Sequence, residues 1–210
     1  MILPPDIAFR LASRPASEPP RTEGLPPAER DRAATFGSAK RRREFVLGRV
    51  TARTLLAEHL ALAEPDVPLR IGEDGAPEIE GVGLHLSITH ASTAERSFAA
   101  AAVAPHPVGV DLEVIQPRRP DLYRFVLHPD EYGLLDALPH DHDAAQVLLW
   151  TLKEAALKAM RTGFRCSPKK LRLSIEPGQR SGSVRVEDGG TWALRYAEGE
   201  GTFVAVAFPG

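Results

Sequence analysis

Two short stretches hold side chains whose types and spacing could do chemistry. In Val108-Gly109-Val110-Asp111-Leu112-Glu113 two acids alternate with apolar residues, and in Trp150-Thr151-Leu152-Lys153-Glu154-Ala155-Ala156-Leu157-Lys158-Ala159 two lysines and a glutamate are threaded through an apolar phrase. If the first is a strand, Asp111 and Glu113 share one face and Val110 and Leu112 the other. Paired carboxylates repel and cost desolvation energy unless a cation joins them, and a divalent ion would reverse that penalty. If the second is a helix, Glu154 and Lys158 share a face four residues apart, with Leu148, Leu152, Ala155, Ala156 and Ala159 on the opposite side. Three carboxylates and two ammonium groups drawn from two places read as a magnesium-dependent site for a phosphate-rich substrate.

Each piece alone also has a plainer reading. A Glu/Lys pair at this spacing is commonly a surface ion pair worth about 0.3–0.5 kcal/mol, and an alternating acid pair is equally an edge strand with charged gatekeepers. Lysine is scarce, however: Lys40, Lys153, Lys158, Lys169 and Lys170 are the full set, and arginine supplies the remaining positive charge. Keeping two lysines in one helix suggests a need for point charges there.

The elements that must position these groups follow from periodicity and punctuation. A short apolar start, Met1-Ile2-Leu3 and Ile7-Ala8-Phe9, suits an edge strand, and a Pro-, Ser- and Arg-rich loop follows. Helical signals begin at Pro26-Pro27. A strong helix spans about 38–62, with Phe45, Val46, Val50, Leu55, Leu56 and Leu60 as its buried stripe. Arg41, Arg42, Arg49 and Arg53 leave its other sides, as a solvated face or as a phosphate clamp. Gly72 to Pro77 reads as a hairpin turn. Leu84 to Thr89 is a strand ending at His90, where strand gives way to loop and ligands tend to be met.

Phe98 to Ala104 reads as a buried strand, although its alanines also suit a helix, and Val108 to Val114 is expected to return beside it as a hairpin after Pro105-His106-Pro107. Short helices are expected around 121–138. His140-Asp141-His142-Asp143 suits helix capping by Asp141 or Asp143 better than metal binding. The helix of Glu154 runs from about Ala144 to Thr162 and stops at Gly163. Four strands close the chain. Helix-then-strands order thus occurs twice, which predicts an α+β protein of two similar lobes, 1–107 and 108–210, each a helix on a small, mainly antiparallel sheet, with the active site at the lobe interface.

Composition narrows the function classes. The 210 residues are 43% hydrophobic and 26% charged, with a formal net charge of -2, so there is no basic signature of bulk nucleic-acid binding. No apolar run is long enough to span a membrane and no leader is evident, which places the chain in the cytoplasm. The single Cys166 excludes an internal disulfide or a thiolate metal cluster within one chain, and nothing beside it supports a nucleophilic role.

The two chemical stretches, in this order and separation, resemble the paired signatures of the 4'-phosphopantetheinyl transferases. The G-x-D-x-E element is the weaker half and the W-x-x-K-E-A-x-x-K-A element the stronger. Length, and an upstream strand ending in His, are similar to the monomeric surfactin-type branch, over roughly residues 25 to 208. The resemblance implies Mg²⁺-dependent transfer of the 4'-phosphopantetheine arm of coenzyme A to a serine of an apo acyl or peptidyl carrier protein, releasing adenosine 3',5'-bisphosphate.

By the resemblance, Asp111, Glu113 and Glu154 hold the metal, Glu154 or a water it orients is the base, and Lys158 lies by the reacting phosphate. His90 meets the 3'-phosphate, with Thr89 in the place of the usual Ser. Arg41, Arg49, Arg53 and Lys153 fall among coenzyme contacts, and Glu131 matches an acid that recurs near the site. Ala76 stands where some relatives place a lysine. The competing reading is a metal-dependent phosphohydrolase or nuclease built on the same acids. Arg118, Arg119 and Arg124, just after the acidic strand, would attract an acidic carrier.

Overall fold

Both halves of the chain are built on one plan: an opening strand, a long helix, and a closing strand that returns to pair antiparallel with the opening one. The structure, a computed structural model, describes residues 1–72, 76–119, 121–175, 178–187 and 189–210. These form two compact units, Pro5–Pro105 and His106–Gly210, the latter with Met1–Pro4.

The first unit runs β1 (Ala8–Pro15), α1 (Pro27–Ala34), α2 (Ala39–Leu60), β2 (Leu69–Ile71), β3 (Pro77–Ile79), β4 (His85–Ser92) and β5 (Arg96–Ala104). Strand order is β1-β5-β4, and β2 and β3 pair as a separate ribbon. The middle of the expected turn between them, 73–75, lies outside the described residues. Ser38 caps α2 by accepting from the Arg41 N–H, and Ala61 closes it in the left-handed conformation. Its apolar side, Ala52, Leu55 and Leu56, joins Leu86, Ala101 and Val103 in one core. Phe98 to Ala104 is buried on both faces, which suits a central strand of small residues lying close to a helix.

The second unit runs β6 (Gly109–Val114), α3 (Leu122–Val126), α4 (Gly133–Ala137), α5 (His142–Ala159), β7 (Leu171–Ile175), β8 (Ser181–Val186), β9 (Thr191–Gly199) and β10 (Thr202–Pro209), with strand order β6-β10-β9-β8-β7. The α+β class and the antiparallel sheets expected from the sequence are both present. The hairpin expected between 98–104 and 108–114 is not: β5 pairs with β1 and β4, whereas β6 pairs with β10, Asp111 opposite Ala205. The sequence Pro105-His106-Pro107 explains this, since two prolines withdraw two N–H donors and interrupt the ladder where a tight turn would need it.

Asp141 caps α5 by accepting from the Ala144 N–H at 2.8 Å, so the His/Asp cluster is a helix start, as its polarity suggests. The stop differs by two residues from the expected Gly163. Arg161 takes the left-handed conformation, φ 54°, and the Thr162 N–H reaches back to the Leu157 carbonyl at 3.2 Å, a Schellman closure built on Arg. Among the described residues, no helix is long and apolar enough to cross a membrane.

Candidate active site

The contact between β6 and α5 decides which side chains meet. Gly109 has no room for a side chain: a Cβ there would stand 2.0 Å from the Ala155 carbonyl oxygen and 2.4 Å from the Ala159 amide. Odd-numbered positions of β6 therefore face the helix, and Asp111 and Glu113 lie on that same side. On α5, Trp150, Glu154 and Lys158 succeed one another at four-residue steps, forming one stripe. The Trp150 indole N–H donates to Glu113 Oε1 at 3.1 Å, and Lys158 Nζ donates to Asp111 Oδ1 at 2.7 Å. Helix and strand thus run in opposite directions, with Trp150 at Glu113 and Lys158 at Asp111.

The surroundings are not those of a wet surface. Leu148, Leu149, Leu152, Lys153, Ala155, Ala156 and Leu157 are all at most 1% exposed, so α5 is buried around most of its circumference. Ala155 and Ala159 turn toward Gly109 beside the chemical stripe, rather than to the opposite side of the helix. Glu154 sits in the remaining gap. Burial, then the negative charges of Asp111 and Glu113, push its carboxyl up to about 7 against the opposing pull of Lys158. Burial and Asp111 also raise the Glu113 carboxyl, opposed by Arg118 and Trp150.

This electrostatic state fits a cation. Glu154 Oε1 is buried and has no hydrogen-bond partner among the described residues, an arrangement that costs about 1–3 kcal/mol if nothing occupies it. Carboxylate oxygens are the donors that hard divalent ions choose. At present the chain's own cations occupy part of the set: Lys158 holds Asp111, and Arg118 Nη2 holds Glu113 Oε2 at 2.5 Å. Accordingly, no group of three or more His, Cys, Asp or Glu stands at metal-binding spacing among the described residues.

Other candidates fall elsewhere. Arg49 and Arg53, expected as coenzyme contacts, are 6% and 2% exposed and both grip Glu29. Arg53 also donates to the carbonyls of Glu64 and Val67, at 3.0 and 3.1 Å. Burial alone would raise the Glu29 carboxyl, but the hydrogen bonds from Arg53 and Arg49 outweigh it and hold it below the usual range. These two arginines are internal counter-ions tying α1 to α2.

Lys153 is engaged inside the second unit in the same way. It is fully buried and donates to Glu131 Oε2 at 2.6 Å and to the carbonyls of Val126 and Pro168, both at 3.0 Å, so each of its three protons is used inside the unit. Glu131 likewise accepts from the amides of His128 and Leu173. Arg41 is exposed on the first turn of α2. His90, its side chain 45% exposed, stands 3.9 Å from Glu44 of α2, whereas Thr89 is buried on the other face of β4. Sequence reasoning missed Glu29, Trp150 and Arg118 as partners. The indole was legible in principle, since it begins the four-residue series that continues through Glu154.

Comparison with known proteins matches both halves of this arrangement. A model of the 4'-phosphopantetheinyl transferase superfamily matches residues 107–207, from β6 through β10, and one of the 4'-phosphopantetheinyl transferase N-terminal domain matches 29–104. The chain is 26% identical over 173 residues to a 4'-phosphopantetheinyl transferase of Bacillus subtilis, covering 81% of this chain and 70% of that one. It is 27% identical over 120 residues to the 4'-phosphopantetheinyl transferase gsp of Aneurinibacillus migulanus, 57% of this chain and 48% of that one. With psf-1 of Bacillus pumilus, also a 4'-phosphopantetheinyl transferase, it shares 26% over 168 residues, 79% and 66% respectively. The chain thus spans less than two thirds of the last two. Since the matched segments include the acids of β6, the whole Trp150–Ala159 phrase and most of the first unit, the chain belongs to the 4'-phosphopantetheinyl transferase superfamily.

Proposed function

We propose that this protein transfers the 4'-phosphopantetheine arm of coenzyme A to a serine hydroxyl of an apo acyl or peptidyl carrier protein, releasing adenosine 3',5'-bisphosphate. The observation that carries the reading is the α5–β6 contact, where Trp150, Glu154 and Lys158 line up against Asp111 and Glu113 around a buried carboxylate oxygen that lacks a partner. The family and the names of its relatives support the same reaction.

Asp111, Glu113 and Glu154 are the residues that would hold Mg²⁺. The ion, when bound, neutralises charge on the pyrophosphate and stabilises the leaving phosphate. Lys158, its side chain 31% exposed, can exchange its contact with Asp111 for an anionic phosphate oxygen. A carboxyl that titrates near neutrality suits proton acceptance, which makes Glu154, or a water it orients, the base for the serine hydroxyl. His90 and Arg41, exposed on the first unit, are candidates for the 3'-phosphate. Arg118, Arg119 and Arg124 follow β6 and supply the positive surface for an acidic carrier. The protein acts as a monomer in the cytoplasm on this reading.

The test is incubation with coenzyme A, Mg²⁺ and several apo carrier proteins, read by mass spectrometry. A carrier gaining one phosphopantetheine supports the reading. Hydrolysis of nucleic acid or phosphoesters without carrier loading would replace it by a metal-dependent phosphohydrolase using the same acids.

A further inference from the structure

The helix that carries Glu154 and Lys158 meets β6 through a smooth contact. Gly109 lies against the backbone of Ala155 and Ala159, and none of the three has a side chain long enough to interlock. Such a contact permits close approach, and the Trp150–Glu113 and Lys158–Asp111 hydrogen bonds cross it at either end. A buried anchor elsewhere on the helix adds to these in fixing which residue of α5 stands opposite Asp111.

One directional anchor lies at the required level. Lys153 precedes Glu154, about 1.5 Å along the helix axis, and its ammonium is fully buried with all three donors engaged. Its partners come from three segments around the helix: the Val126 carbonyl at the end of α3, Glu131 from the turn at 129–131, and the Pro168 carbonyl before β7. Glu131 in turn accepts the amides of His128 and of Leu173 in β7, each at 2.7 Å. A displacement of α5 by one ångström would stretch several charge-assisted hydrogen bonds at once.

We propose that Lys153 is a positioning residue: with Glu131 it forms a buried polar anchor that holds α5 in register, so that Glu154 and Lys158 face Asp111 and Glu113. This rests on the reading of those four residues as the transferase site. Lys153 itself touches no substrate.

Trp150 supplies a readout that does not depend on turnover, because its indole N–H donates to Glu113 across the same contact. With Trp192, the other tryptophan, replaced by Phe, emission reports on Trp150 alone. Lys153→Met strands Glu131 in the interior and risks unfolding, so the decisive protein is Lys153→Met combined with Glu131→Gln, which removes both charges together. The double variant is expected to fold cooperatively while Trp150 emission shifts to the red. Mn²⁺ binding, followed by its effect on Trp150, should weaken by about 10-fold or more. Carrier loading should lose about 100-fold in kcat, as a misplacement of about an ångström would cause, with KM for coenzyme A within about threefold.

Three results would overturn the proposal: a folded double variant with unchanged Trp150 emission and Mn²⁺ affinity; a double variant that does not fold, which assigns the pair to stability alone; or a rise in KM for coenzyme A with kcat unchanged, the mark of a direct contact. If the unaltered protein loads no carrier, the transferase reading falls, while the emission and Mn²⁺ measurements still judge the anchor.

Discussion

Replacing Glu154 by Gln should stabilise the metal-free protein at alkaline pH while removing most transferase turnover. The carboxyl is raised from 4.5 to about 7 by burial and by the charges of Asp111 and Glu113. Between those two values the folded protein holds a proton that the unfolded chain has released, so stability falls as pH rises through this window. At 1.36 kcal/mol per unit the full shift corresponds to about 3 kcal/mol, and partial exposure of the side chain reduces this to about 1–2 kcal/mol. Gln carries no ionisable proton and escapes the penalty. The stability difference between variant and parent should therefore grow by about 1–2 kcal/mol between about pH 5 and about pH 8. For a chain of this size that is about 2–8 °C in Tm. Thermal and urea unfolding in EDTA at the two pH values measures it. An equal difference at both, or a Gln variant that loses stability relative to the parent at the higher pH, would refute the electrostatic description of the site. Saturating Mg²⁺ should then stabilise the parent more than the variant, because the ion replaces the missing partner of Glu154.

The remaining predictions address packing, the first unit and the partner surface. Gly109→Ala drives a methyl group into the α5 backbone and should cost about 3 kcal/mol, the upper end for overpacking, with turnover lost in step; urea unfolding measures the first and carrier loading the second. Glu29→Ala leaves Arg49 and Arg53 buried without their shared counter-ion and should cost about 3–5 kcal/mol, measured by unfolding and by limited proteolysis, whereas Arg41→Ala should leave stability unchanged. Reversing the exposed Arg119 and Arg124 to Glu should raise KM for an acidic carrier at low salt and flatten its salt dependence in steady-state loading assays; an unchanged KM places the carrier surface elsewhere.

The elements were legible where local chemistry is decisive. Asp141 was readable as a helix cap, α2 from its apolar period, and the four closing strands from their alternation and turns. The pairing of β6 was not, because a strand's partner is set by the whole sheet, and β10 lies at the other end of the chain. Nor was the equivalence of the two halves visible in full: helix-then-strands order recurs in the sequence, but the strand that opens each unit acquires its meaning only when the last strand returns to it.

The same distinction separates the side-chain partners that were legible from those that were not. Arg49, Arg53 and Lys153 are cations on helices, and on a helix the sequence registers charge and angle but not what lies opposite. Their partners, Glu29 and Glu131, are about 20 residues away in sequence, beyond the reach of helical spacing rules. Asp111, Glu154 and Lys158 come together because the phrase that carries them includes its own packing instructions. Gly109, Ala155 and Ala159 bring strand and helix close enough for acids on one to meet the stripe on the other. That closeness is also what excludes water from Glu154. A glutamate and lysine four apart on an open surface would be a weak ion pair; the small residues beside them remove the solvent, lift the carboxyl toward neutrality and leave one of its oxygens in need of a cation.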